Sequence, residues 1–508
     1  MINKNSQPKI LLITFFISLF LGSCAPNKNQ EELLVETPAE SQQLVTGTPV
    51  LLPMNTPSNE PIPTSQPVNV EKELELPDYK IKVSFNYGNQ TANINETIRF
   101  YNTSKQPLNQ LLLACDILRY PDSFVLEKII INNTSEIDIE PGKFFLSIPL
   151  AETLLPGEEI TIQIDYLLKV PPIPPPADDR KPGIFGYSTV QTNFVDWYPF
   201  FPPLSENGEW LLHEPWFYGE YLVYDLANFH VEIELLNAPS GSTIAASTLP
   251  TILKENRYIY ESFGARNFVW SLSPSYIVES FMMEGITITT HTFPFHQQAG
   301  SHVLRESAKA IDLYSRLFSP YPRENLTIVE ADFLDGMEYD GLFFLSRGFY
   351  NLFDNTPQNY LTAIAVHETA HQWWYAAIAN NQALEPWLDE ALCTYSELLF
   401  YEEYYPELIN WWWEYRVNYY QPEGFINKSI YDYQGFVPYR NATYLQGAKF
   451  LQNLRDDLGD EVFFDFLSDY AKSLNNKISN ESNFFQILGN YTDQDVKKNY
   501  PEYFSFVQ

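Results

Sequence analysis

Val366-His367-Glu368-Thr369-Ala370-His371 is followed by Glu390 in the run Trp387-Leu388-Asp389-Glu390, with eighteen residues between His371 and Glu390. A helix repeats every 3.6 residues, so His367 and His371 project from one face, one turn apart. Two imidazoles held that way can share one metal ion. Glu368 then points beside the metal, where it can take a proton from a bound water. A catalytic zinc uses three protein ligands and keeps one position open, and His367, His371 and Glu390 supply three. Glu390 has to arrive from a second helix packed on the first, and Asn380-Asn381-Gln382-Ala383-Leu384-Glu385-Pro386 is a turn of suitable length to bring it. One Zn2+ per chain and no organic cofactor are expected.

Working outward, residues 359–378 carry apolar side chains at helical intervals, and 387–404 read as the second helix with Glu390 in its first turn. Thr394 and Glu397 follow Glu390 by four and seven residues on the same face. A metal-bound histidine usually donates its other ring hydrogen to a carboxylate or carbonyl, so both are candidates for supporting a ligand. The competing reading of Glu397 is a solvated helix charge. Further helices are expected over 300–318, stopped by Pro320 and Pro322, and over 444–458 and 461–474; 326–330 reads as a strand. Upstream, Lys80-Ile81-Lys82-Val83-Ser84-Phe85 and Glu159-Ile160-Thr161-Ile162-Gln163-Ile164 alternate as half-buried strands do. Strands at 229–236, 257–261 and 286–293 continue the pattern, so a β-rich domain of sandwich type precedes the helices. Pro171-Pro172-Ile173-Pro174-Pro175-Pro176 is an extended connector.

Of 508 residues, 45% are hydrophobic and 16% aromatic, enough for two or three domains with cores of their own. A net charge of -33 excludes a nucleic-acid surface, whose phosphates call for Lys and Arg. Three cysteines, Cys24, Cys115 and Cys393, make no disulfide framework, and spacing leaves open whether Cys115 and Cys393 pair. Lys4 and Lys9 begin a short apolar run that ends in Leu21-Gly22-Ser23-Cys24. That run resembles the lipobox of bacterial lipoproteins, in which the cysteine becomes the acylated N-terminus. A plain signal peptide with a chance cysteine is the alternative. The resemblance implies an extracytoplasmic protein anchored to a membrane through acyl chains on Cys24. Residues 1–23 are then a signal peptide and 24–78 a disordered Pro/Ser/Thr-rich linker.

The zinc run, with the flank His371-Gln372-Trp373-Trp374 and the block Trp387-Leu388-Asp389-Glu390-Ala391, resembles the gluzincin aminopeptidases of the aminopeptidase N and leukotriene-hydrolase type. That family carries HExxH, eighteen residues, then Glu in a W-L-N-E-G context; here Asp stands for Asn and Ala for Gly. Gly336-Met337-Glu338-Tyr339 is similar to the family's G-x-M-E-N segment, with Tyr339 in place of Asn. There the resemblance implies that Glu338 grips a substrate's free amine and that the backbone of Gly336 and Met337 pairs with an extended peptide. Tyr444-Leu445-Gln446-Gly447-Ala448 is similar to the family's Y-x-K-G-A segment, which implies that Tyr444 steadies an oxyanion; Tyr439 is its rival. Gln191 is a candidate substrate-lining residue from the N-terminal domain. The implied fold is α+β and multidomain, a β-sandwich-like domain over 79–280 followed by a thermolysin-like mixed α/β zinc-peptidase domain over 281–508. The large helical C-terminal domain of many relatives is expected to be missing, leaving a more open cleft.

The implied activity is removal of N-terminal residues from peptides, with Glu368 and Tyr444 catalytic. The alternatives are a zinc endopeptidase with an open cleft and a dead surface-binding protein on the same scaffold.

Overall fold

Tyr79, Ile81, Val83 and Phe85 alternate with polar neighbours, and all four point inward from the strand Asp78–Asn86. This is the period-2 pattern that the sequence predicts. The strand lies inside an eight-stranded sheet, parallel to Ala227–Leu236 on one side and antiparallel to Thr91–Tyr101 on the other. A four-stranded sheet faces it, joined by the strand pair Leu108–Ala114 and Phe145–Leu154. The layers meet through aromatic rings: Phe85 lies 5.1 Å edge-on from Phe194, which stacks on Trp270 at 3.9 Å. The N-terminal part is therefore a two-layer β structure around one apolar core.

The computed structural model describes residues 76–173, 183–333 and 336–505. The readings for 1–23, for Cys24 and for nearly all of 24–78 lie outside these residues, as does part of the proline-rich connector. Among the described residues no helix is long and apolar enough to cross a membrane. Cys115 and Cys393 are both buried and free.

A second sheet of five strands begins with Ile277–Met283 and Ile286–Thr292, continues through Asn325–Ala331 and Leu342–Ser346, and ends at the edge strand Gly336–Tyr339. Ile277–Met283 pairs with Ile286–Thr292 and belongs wholly to this sheet. The division expected between 280 and 281 would cut through that strand, and the pairing moves it ahead of Ile277.

The helix Gln297–Leu317 packs on this sheet and against Tyr360–His371, which carries the two histidines. Asn359 caps the latter, its side-chain oxygen accepting the Thr362 amide at 2.9 Å. The helix expected to reach Ile378 ends at His371. Gln372–Ala377 form a wide turn with Trp374 at φ -91°, ψ 23°, and the chain then enters the strand Ile378–Asn380. That strand pairs with Lys477–Ser479, so sheet hydrogen bonds replace the helical ones the sequence pattern anticipates. The second helix, Trp387–Tyr404, has the expected bounds and packs on the first.

Candidate metal centre and cleft

His367 and His371 face each other one turn apart, ring centroids 4.9 Å apart at 74°. The first turn of Trp387–Tyr404 brings Glu390 to both: its Oε2 lies 3.2 Å from His367 Nε2 and 3.7 Å from His371 Nε2. All three side chains are buried, and their ligand atoms lie within 4.8 Å of one another.

The other ring nitrogens are occupied. His367 Nδ1 is 2.9 Å from Glu397 Oε1, and His371 Nδ1 is 2.6 Å from Asp389 Oδ1. A carboxylate only accepts, so each Nδ1 carries a hydrogen, and the ring nitrogen left to ligate a metal is the Nε2 that faces Glu390. Two imidazole Nε2 atoms and a carboxylate converging on one point are the donor set of a catalytic zinc site, so the residues fit this metal.

Glu397 is held in turn by Arg416, whose Nε and Nη2 donate at 2.8 and 2.7 Å, and by Trp412 Nε1 at 2.9 Å. Burial pushes the Glu397 carboxyl up, but the Arg416 charge and the hydrogen bonds from His367 and Arg416 outweigh it and leave it below its ordinary value. Glu397 thus stays an ionised acceptor. Thr394, expected beside it, takes no part: its hydroxyl is buried and makes no hydrogen bond. A threonine side chain is too short to reach the ligands that Glu397 and Asp389 reach. Asp389, Arg416 and Trp412 were not anticipated. Asp389 stood in view as the residue replacing the family's Asn, and the helical neighbourhood of Glu390 was the signal for it.

Glu368 follows His367 on the same helix and lines a pocket of about 120 Å³ with the three ligands, Gly336, Glu338 and Tyr444. A Cβ at Gly336 would overlap the Glu368 carboxylate, so the absence of a side chain at 336 is what lets that carboxylate sit against the edge strand. Tyr444 stacks parallel to the His367 ring at 5.9 Å, and its hydroxyl donates to Glu390 Oε1 at 2.5 Å. Tyr439 is fully buried behind it, 5.7 Å away between ring centroids. Tyr444 is the phenol within reach of a ligand.

Glu338 is buried on the edge strand, with Gln382 Nε2 donating to its Oε1 at 3.2 Å and to Asp389 Oδ2 at 2.5 Å. Glu338 forms a carboxylate cluster with Glu390 and Glu220, with oxygens of all three within 4.8 Å of one another. Burial, with Glu220, Asp389 and Glu390 adding to it against the pull of His371, pushes the Glu338 carboxyl up to about 8. Glu220 was missed because it lies in the irregular segment Tyr218-Gly219-Glu220-Tyr221, which has no periodicity to read. Gly219 turns that segment with φ 71°, a conformation that costs glycine nothing. Met337 faces away from the ligands into a neighbouring cavity.

Gln191 is not in the cleft. It is buried between the two sheets, donating to Tyr276 and to the Glu330 carbonyl at 2.5 and 3.0 Å and accepting from the Asp332 amide at 3.0 Å. Its hydrogen bonds bridge the β-rich part to the second sheet, which corrects the substrate-lining expectation.

Residues 303–503, which hold every one of these ligands, match the model of the Peptidase family M1 domain. The chain carries a peptidase family M1 domain. Aminopeptidase M1-D of Oryza sativa subsp. japonica is 32% identical over 143 residues, 26% of this chain and 16% of that protein. Endoplasmic reticulum aminopeptidase 2 of Homo sapiens is 25% identical over 291 residues, 52% of this chain and 30% of that protein. The chain therefore spans less than a third of the length of these curated relatives. The M1 zinc metallopeptidase of Deinococcus radiodurans shares the fold, with TM-score 0.59 over 85% of this chain and 96% of that one, at 16% identity. The same neighbour has also been solved as a mutant bound to a Tyr-Ser-Ala substrate. The α+β arrangement, a β-rich part followed by the M1 domain, is the architecture of that structure.

Proposed function

We propose that the protein is a zinc-dependent aminopeptidase. The observation that carries this reading is the placement of Glu338 and Glu220 beside Glu390, on one side of the metal-ligand set. Carboxylates there pair with a peptide's terminal ammonium and set its first peptide bond over the ligands. A peptide lacking a free amine would bring no cation to this cluster of like charges.

His367, His371 and Glu390 would hold a zinc ion, which would supply Lewis acidity toward the scissile carbonyl and the attacking water. Glu368 accepts the proton of the attacking water and later passes one to the departing amine. The Tyr444 hydroxyl turns from Glu390 to donate to the oxyanion that develops on the scissile carbonyl. The open side of the strand Gly336–Tyr339 offers its backbone to an extended peptide. Glu397 and Asp389 keep both imidazoles in the ligating tautomer.

A panel of fluorogenic aminoacyl amides, run with and without a chelator, tests the reading. Cleavage that the chelator abolishes and zinc restores is expected. Chelator-insensitive cleavage, or none of any aminoacyl amide, contradicts it. The lipobox-like run ending at Cys24 supports a membrane-anchored, extracytoplasmic location, and a Cys24→Ser variant that still incorporated labelled fatty acid would oppose that.

A further inference from the structure

Gln382 lies in the turn between the strand Ile378–Asn380 and the helix Trp387–Tyr404, outside the ligand set. Backbone bonds on both sides of Gln382 hold the turn in place. The Asn381 carbonyl accepts the Leu384 and Glu385 amides at 3.0 and 2.8 Å, and the Ala383 carbonyl accepts the Ile430 amide at 2.9 Å. The Gln382 side chain is buried and meets two carboxylates: its Nε2 is 2.5 Å from Asp389 Oδ2 and 3.2 Å from Glu338 Oε1.

Asp389 accepts from His371 Nδ1 through its other oxygen, at 2.6 Å, and a carboxylate only accepts. The amide therefore turns its NH2, not its carbonyl, toward the pair. That NH2 has two hydrogens, one for each carboxylate. Glu338, Gln382, Asp389 and His371 thereby form one continuous hydrogen-bonded chain, from the proposed amine anchor to a metal ligand. Glu338 cannot swing on its strand without breaking the bond to Gln382. An ionised Glu338 that receives an ammonium also meets the Asp389 charge, because both carboxylates reach one nitrogen atom. The Asn that stands at this place in the resembled family's motif would bring no such charge.

We propose that Gln382 is a positioning residue, whose amide holds Glu338 in place for the substrate's ammonium against the charge of Asp389. The proposal rests on the aminopeptidase reading. Without the amide, the two carboxylates face each other with no donor between them, Glu338 turns away, and amine binding weakens. The loss depends on the Asp389 charge, because that charge is what the amide offsets. A glutamine that only filled the turn would matter to the fold and leave amine affinity alone.

Gln382→Met keeps the length of the side chain and removes its donors. The test measures kcat and KM on a leucyl amide and, by calorimetry, the Kd of L-leucine, for the zinc-loaded wild type and Q382M. KM and Kd are expected to rise about tenfold, with kcat falling less than KM rises. In the Asp389→Asn background the same substitution should change either by less than about threefold, because the opposing charge is gone. Gln382→Asn, one carbon shorter with the same amide, should move KM and Kd in the same direction as Q382M, and serves where Q382M does not fold. Unchanged KM and Kd in whichever variant folds, or an equal loss with and without the Asp389 charge, overturns the proposal while leaving the aminopeptidase reading intact. Wild-type protein that cleaves no leucyl amide and binds no L-leucine overturns both.

Discussion

Gly336 and Glu338 lie two residues apart on the edge strand and bear on opposite ends of the proposed chemistry. Glu338 joins the carboxylates proposed to hold the amine, whereas Gly336 matters because it has no side chain where Glu368 sits. Gly336→Ala should push the flexible end of Glu368 aside rather than strain the fold. The expected result is a fall in kcat with the melting temperature and zinc content nearly unchanged; an unaltered kcat would separate Glu368 from its present position. Glu368→Gln removes the proton acceptor and keeps the shape. It should bind zinc as the wild type does and lose about 10²–10⁴-fold in kcat. Retention of most activity would remove Glu368 from the mechanism.

At the scale of elements, two packed helices set the ligand geometry, and a third segment fixes one of them. Arg416 and Trp412 reach Glu397, which holds His367. Glu397→Gln should weaken zinc binding about 10–100-fold, read by competition with a chelating dye. Arg416→Met leaves a buried carboxylate without its cation and should cost about 3–5 kcal/mol in chemical denaturation. The E397Q/R416M double variant should recover much of that stability but none of the zinc affinity. Recovery of both would mean that the pair acts on the fold alone. The helix Trp387–Tyr404 and the long strands were legible because burial imposes a period on their sequence. The three ligands were legible because one helix turn and one helix pair fix their spacing. Asp389 was hidden by its reading as a mere replacement, and Glu220 and Arg416 by lying in segments whose place is set by tertiary packing. Gln191 misled because a buried glutamine that bridges two sheets looks, in sequence, like one that lines a cleft. The break after His371 was hidden because Gln372–Ala377 is as apolar as a continuing helix would be.

Across the whole molecule, one inward position of the β-rich part breaks its own pattern. Glu96 occupies an apolar slot on Thr91–Tyr101, fully buried, with the Tyr166 hydroxyl donating to one oxygen at 3.1 Å and the other oxygen unbonded. Burial raises its carboxyl well above the ordinary value, against a smaller lowering by the Tyr166 hydrogen bond. The folded state therefore holds this proton more tightly than the unfolded chain does. Stability from Glu96 is present below the unfolded pKa of about 4.5 and is lost as pH rises toward the folded pKa. The melting-temperature advantage of Glu96→Gln over wild type should grow between about pH 5 and pH 8; a constant difference would contradict the assignment.

The M1 domain, the β-rich part and the carboxylates between them converge on one claim, that the cleft engages a free peptide N-terminus. The most direct measurement compares hydrolysis of one short peptide by the zinc-loaded protein with its amine free and with its amine acetylated. The free peptide should lose its first residue, and the acetylated one should persist under the same conditions. Equal rates of cleavage would contradict the claim and give the cleft to internal peptide bonds.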